Sequence, residues 1–211
     1  MQTRHPQVTD AVAYSLYRER YESHEMRVLG DKIRPDDVLL ELGCGMGFIG
    51  IACAKKLASG RLVGVEANAE LISLIEENYA LNGLEIELIH GAISDTPGEV
   101  EIDFADDFRY SGVGIPGAVR TVKVPAVLLP ELLEKYQPSG MVLDVEGAEV
   151  RVLDEGVDLS SVRFIAVEVH ADRTGDAAIS RMVAALFGHG FVLDVVSTST
   201  PVLFFYRPEA A

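Results

Sequence analysis

The chain has 211 residues, 48% of them hydrophobic, with 33 acidic against 18 basic side chains and a formal charge of −15. That length fits one domain and that apolar fraction supplies a core. The acidity argues against a broad nucleic-acid or anionic-membrane surface, which would gather Lys and Arg, and no apolar run reaches the length of a membrane span.

The polar start, MQTRHPQVTDAVAYSLYRER, lacks a secretory apolar segment, which predicts a cytoplasmic protein. Residues 10–29 read as one amphipathic helix with Asp10 at its N-cap. With residues 1–34 it forms a helical cover, and residues 35–211 form the main domain. VLLEL (38–42) is a buried strand, GFIGIACAKKLA (47–58) a helix, RLVGVEA (61–67) a strand, residues 68–83 a helix stopped by Gly83, and LEIELIHGA (84–92) a third strand. This alternation predicts a parallel sheet covered by helices, with right-handed crossovers.

GEVEIDFA and VRTVKVPAV are short extended pieces flanking a glycine-rich loop. Helix 128–136, strand 140–147, helix 148–156, strand 162–170 and helix 176–190 follow. FVLDVVS and PVLFFYR close the chain as two tightly joined, hence antiparallel, strands. The predicted architecture is α/β: a Rossmann-like doubly wound sheet of seven strands, mostly parallel, with an antiparallel C-terminal pair. The two cysteines, Cys44 and Cys53, make neither a disulfide framework nor a zinc site, and predict a reducing compartment.

The most informative stretch is ELGCGMGFIG (41–50), a glycine loop between a strand and a helix. Glycines allow the sharp turn and close approach of a ligand, and the helix start offers free N–H groups. Glu66 ends the next strand, 21 residues after Gly45. An acid there can accept hydrogen bonds from both ribose hydroxyls of an adenosine. GAISD (91–95) follows the third strand, where it would flank an adenine ring. All three lie at strand carboxyl ends, where open α/β sheets bind ligands.

These motifs resemble the class I S-adenosylmethionine-dependent methyltransferases: VLLELGCGMGFIG is similar to their first motif and GRLVGVEAN to the acidic second. Within that superfamily the chain most resembles the FkbM-like methyltransferases, on LDVEGAEVRVLDEG (143–156), FIAVEVH (164–170) and VEANAELISLIEENYALNG. It departs from them in two places. Its first motif is ELGCGMG where they have Asp-x-Gly-Ala-Asn-x-Gly, and Val142 stands where they have lysine. The resemblance implies S-adenosyl-L-methionine held by Glu41, Gly43, Gly45, Gly47, Glu66, Ala67, Ala92, Ile93 and Asp144. It also implies in-line transfer to a hydroxyl of a small molecule or glycan; the acidity and the lack of a spanning apolar run add the expectation of no nucleic-acid or membrane partner.

Asp144 and Glu146 are two apart and share one side of an extended strand, as do Glu168 and His170 on the next. His170 is the expected base for an oxygen nucleophile, with Asp144 and Glu146 beside it, since its ordinary pKa lies near neutrality. A divalent metal held by Asp144, Glu146, Glu168 and His170 is an alternative rather than an expectation. The remaining readings are an NAD-binding oxidoreductase, from Gly45-x-Gly47-x-x-Gly50 with Glu66, and a noncatalytic cofactor-binding module. Tyr14, Tyr17, Arg18 and Tyr21, or Arg109 and Tyr110 in the 104–118 loop, could line a substrate pocket, though an ordinary surface is favoured. The apolar final strand offers an edge for a homodimer.

Overall fold

A computed structural model of the chain describes residues 1–105, 111–114 and 118–208. Its elements are α1 (Asp10–Tyr17), α2 (Ser23–Leu29), β1 (Val38–Leu42), α3 (Phe48–Ala54), β2 (Arg61–Glu66), α4 (Ala69–Leu81), β3 (Glu87–His90), β4 (Ala92–Ser94), β5 (Glu99–Phe104), β6 (Arg120–Leu128), α5 (Leu129–Tyr136), β7 (Gly140–Leu143), α6 (Glu149–Val152), β8 (Phe164–Glu168), α7 (Ala171–Thr174), α8 (Asp176–Gly188), β9 (Val192–Leu193) and β10 (Val202–Tyr206).

The main sheet has seven strands in the order β3-β2-β1-β7-β8-β10-β9. The first five run parallel, and β10 runs antiparallel to both β8 and β9. This is the predicted architecture, including the reversed closing pair. β1 and β7 are near-continuous apolar runs because both faces of the sheet are covered. One face packs Leu39, Val142, Phe164 and Phe204 against α1 to α4 through Val12, Val28, Leu29, Leu74 and Ile75. The other packs Leu40, Leu42, Val65 and Ile165 against α5, α6 and α8 through Leu133, Val152 and Leu186. Leu42 pairs with Val65 and with Leu143, so β1, β2 and β7 end at one level. That register brings Gly43, Glu66 and Asp144 to one rim of the sheet.

Three predicted elements come out differently. The helix over residues 10–29 is two helices, broken where Glu19 and Glu22 take left-handed φ values of 55° and 47°. The break turns Tyr21 inward, where it is buried edge-on against Phe48 at 5.6 Å. The strand over 84–92 is cut at Gly91, whose N–H donates to Glu66 O. A Cβ there would lie 2.4 Å from Val127 Cγ2 and 2.9 Å from Pro125 O, so a side chain at this point would force β6 to shift. β4 then joins a second sheet, β4-β6-β5, formed with the two extended pieces that had no assigned place. The turn of helix at α7, absent from the sequence reading, follows His170 directly. Arg109 and Tyr110 lie outside the described residues. No helix among the described residues is long and apolar enough to cross a membrane.

Candidate active site

Gly43 takes φ +85°, and its N–H donates to Val65 O. A Cβ on it would lie 1.8 Å from the carbonyl oxygen of Asp144. The loop therefore needs glycine both for its backbone region and for the close passage of the β7 end. Gly45 follows on the same surface, but Gly47 is buried, and its missing side chain faces Tyr79 and Ile75 as the N-cap of α3.

Two acids hold this loop. Glu41 Oε1 accepts from Gly50 N–H at 2.8 Å, and burial pushes its pKa up to about 8. Its Oε2 and the Tyr79 hydroxyl are both buried without a hydrogen-bond partner among the described residues. Glu66 Oε2 accepts from Cys44 N–H (3.1 Å) and Gly45 N–H (3.0 Å), while Oε1 accepts from Asn68 N–H (2.7 Å). Burial raises its pKa to about 7 in spite of these three donors.

The rim opens into a cavity of about 780 Å³, ample for a nucleoside and a second group. Gly43, Gly45, Glu66, Ala67, Ala92, Ile93 and the buried Glu41 line one part of it, with Val100, Ile102 and Phe104 of the second sheet. Asp144, Glu146, Glu168 and His170 line another. The cavity thus gathers every candidate cofactor and catalytic residue except Gly47. Tyr21 reaches it, whereas Tyr14, Tyr17 and Arg18 lie on the exposed side of their helix or just beyond it.

His170 is the hub of the acidic part. Its backbone N–H and Nδ1 both meet Glu149 Oε1, at 3.1 and 3.3 Å. Its Nε2 lies 3.2 Å from Glu146 Oε2 and 3.5 Å from Asp144 Oδ1. Burial alone would lower the His170 pKa; the Glu149 hydrogen bond and the charges of Glu146 and Asp144 outweigh it and raise it to about 9. Glu149 is fully buried, also accepts from Gly147 N–H at 2.8 Å, and is held below the ordinary carboxylate range by His170 in spite of its burial. Arg173 closes the group with a 2.7 Å ion pair to Glu146.

Enclosure in the cavity raises Asp144 to about 6, Glu146 to about 7 and Glu168 to about 8. The Asp144 side chain keeps 43% of its surface exposed, so its shift reflects an enclosed cavity rather than dry packing. Asp144, Glu146 and His170 each offer one atom within 4.8 Å of the others. His170 Nε2 faces both carboxylates, and a cation in that place would compete with its proton.

Sequence reasoning missed Glu22, Glu25, Glu149 and Arg173 as parts of this site. Glu149 stands in the quoted LDVEGAEV stretch and Glu25 four residues after Tyr21, but neither spacing says which way the side chain turns.

The sheet order with its reversed strand β10, and a ligand-sized cavity over the glycine loop, define the class I methyltransferase fold. Residues 26–105 match the family model described as "Methyltransferase small domain". A ribosomal protein L11 methyltransferase of Geobacter metallireducens is 32% identical over 68 residues, 32% of this chain and 22% of that protein. A release factor glutamine methyltransferase of Geobacter sulfurreducens is 31% identical over 100 residues, 47% of this chain and 32% of that protein. A ribosomal RNA small subunit methyltransferase C of Ectopseudomonas mendocina is 39% identical over 80 residues, 37% and 24% of the two chains. The chain thus spans between a fifth and a third of the length of these relatives. Among solved structures, a precorrin-6y C5,15-methyltransferase of Geobacter metallireducens has the same fold, with a TM-score of 0.52, 14% identity, and 89% and 88% of the two chains covered.

These relatives correct the expected partners. They are named for a ribosomal protein, a release factor glutamine and ribosomal RNA, which overturns the expectation of a small-molecule or glycan hydroxyl and of no nucleic-acid partner. The earlier expectation drew on net charge and on residues 143–170. Net charge averages over the whole surface and leaves the acceptor undetermined.

Proposed function

We propose that the chain is an S-adenosylmethionine-dependent methyltransferase whose acceptor is a macromolecule, a protein in the first instance. The observation that carries this reading is the meeting of the glycine loop, Glu66 and Asp144 around one cavity at the ends of β1, β2 and β7. The residues present fit the cofactor. Gly43 and Gly45 leave room for close approach, and Ala67, Ala92 and Ile93 give an apolar bed for a flat base. Glu66 Oε1 accepts one bond and keeps a lone pair for a ribose hydroxyl. Glu41 supports the loop through Gly50. When bound, the cofactor supplies an activated methyl group on a sulfonium.

The chain's own residues then align the acceptor and take its proton. His170 carries a proton at neutral pH, so in this reading it holds Asp144 and Glu146 in place, and the base is a carboxylate. Two of the three relatives quoted are named for a protein substrate, which supports a protein acceptor. The FkbM-like resemblance over residues 143–156 remains our reading of the second half, beyond the family match.

The test is calorimetric titration with S-adenosylhomocysteine and with NADH. Transfer of labelled methyl from S-adenosylmethionine to ribosomal protein and to ribosomal RNA fractions follows. Binding of S-adenosylhomocysteine, with label in protein, supports the reading; label in RNA alone moves the acceptor to RNA. Binding of NADH alone would replace it with the oxidoreductase, and binding without transfer with the noncatalytic module.

A further inference from the structure

The glycine loop is held from two sides. Glu66 accepts the N–H groups of Cys44 and Gly45 at the cavity rim, and α4 holds the far end of the loop. α4 brings Ile75, Asn78 and Tyr79 to that end, at the three- and four-residue spacing that shares one helix face. A Cβ on Gly47 would lie 3.3 Å from Ile75 Cγ2 and 3.2 Å from Tyr79 Cε2. Asn78 has no exposed surface, and its Nδ2 donates to Met46 O at 2.9 Å. Its Oδ1 accepts the backbone N–H of Gln2. A buried amide needs partners at both ends. Here the loop takes one end, and a segment far away in the sequence takes the other.

Residues 2–8 run along α4 as a strap. Gln2 Nε2 donates to Glu77 Oε1 at 2.9 Å, Gln2 Oε1 accepts the Arg4 N–H at 2.8 Å, and Gln7 Nε2 donates to Glu70. Thr9 then caps α1 by accepting the Val12 N–H. Beyond α1 the chain reaches Tyr21, whose ring stands edge-on to Phe48 at 5.6 Å. The N-terminal cover therefore grips the loop twice, at Met46 through Asn78 and at Phe48 through Tyr21. Ser15 and residues 20–25 of the same cover form part of the cavity wall, whereas none of the described residues 2–8 does.

We propose that Asn78 is a positioning residue that ties the N-terminal cover to the cofactor loop, a link that rests on the methyltransferase reading and adds to it how the cofactor site is governed. Seating the cover completes the loop, and a bound cofactor in turn holds the cover down. Entry past residues 20–25 requires the cover to lift. Lifting it takes the Gln2 N–H from Asn78 and the Tyr21 ring from Phe48. The buried amide oxygen is then left without its donor, and the loop loses support on that side. Such coupling is reciprocal: whatever the seated cover adds to cofactor affinity, the cofactor adds to the seating of the cover.

The experiment is amide hydrogen exchange on the full chain, alone and saturated with S-adenosylhomocysteine. The ligand is titrated first; if it does not bind, the methyltransferase reading fails at that step and the coupling falls with it. In the wild type the bound ligand slows exchange at residues 3–8 about fivefold more than at α5, which packs on the other face of the sheet and does not line the cavity. Slowing at residues 3–8 no greater than at α5, with the ligand bound, overturns the coupling and leaves the methyltransferase reading standing. Asn78→Ala and Asn78→Asp each remove the donor to Met46 O. Both variants weaken S-adenosylhomocysteine binding by about fivefold and abolish the extra slowing at residues 3–8. A purely structural Asn78 would lower the melting temperature and leave affinity and the extra slowing as in the wild type, which also overturns the proposal. Should both variants fail to fold, the wild-type exchange decides by itself.

Discussion

His170 Nδ1 lies 3.3 Å from Oε1 of Glu149, a carboxylate with no exposed surface. The same oxygen takes the His170 backbone N–H, so one buried acid fixes both the ring and the chain at the end of β8. The pair sets the protonation of the acidic part of the cavity.

The His170 ring is expected to titrate near pH 9 in NMR spectra. Its folded pKa lies above the unfolded value of ~6.5, so its contribution to stability is complete below that value and is lost as pH rises toward 9. The raised pKa values of Glu146 and Glu168 act in the same direction, since they too make the folded chain bind more protons. Glu149→Gln should lower the His170 midpoint by a unit or more and flatten the alkaline loss of melting temperature. A wild-type midpoint at an ordinary histidine value would refute the arrangement.

Gly43→Ala should be strongly destabilising, because its Cβ would meet the Asp144 carbonyl oxygen at 1.8 Å in a left-handed backbone. A cost above ~3 kcal/mol, at the upper end for single substitutions, is expected by denaturant unfolding. Gly83→Ala is the control. It has φ +67° with nothing within 4 Å, and should cost only the conformational penalty of ~1–2 kcal/mol.

Asp37 is 3% exposed and accepts from Arg34 N–H (2.6 Å), Ser139 Oγ (2.7 Å) and Arg163 Nη2 (2.7 Å). Asp37→Ala removes the acceptor of three donors, one of them the partly buried Arg163 guanidinium. Losses on breaking a buried pair run to ~3–5 kcal/mol, and each kcal/mol moves the melting temperature by ~2–4 °C at this chain length. A drop below ~2 °C would show that the pair contributes little.

Glu66→Ala removes the acceptor of three backbone N–H groups in and after the glycine loop. S-adenosylhomocysteine affinity should fall at least ~10-fold, about 1.4 kcal/mol. Glu66→Gln should fall between the two, since its amide oxygen still accepts. Unchanged binding in Glu66→Ala would mean that the loop keeps its shape unaided and that no ribose contact is made there.

Much of the cofactor half was legible in the sequence because its signals are local. A strand, a glycine loop and a helix start follow one another within residues 38–54, and Glu66 ends the next strand by the same alternation. The spacing of two in Asp144 and Glu146, and in Glu168 and His170, also anticipated their common cavity. Glu25 and Glu149 were not legible as site residues. Glu25 depends on the break at Glu19 and Glu22, where the burial of Tyr21 overrides helical periodicity. Glu149 is selected as the partner of His170 by the packing of α6 beside β8, and no sequence spacing encodes that distance.

The sequence by itself determined the order of strands and helices, the reversed closing strands and the glycine loop, because backbone propensity and side-chain period act over a few residues. Tertiary structure decided which acids face one another, which oxygens lack a donor and where His170 holds its proton. Those properties arise from desolvation and charge spacing across elements more than a hundred residues apart, as Glu25 and Glu168 are.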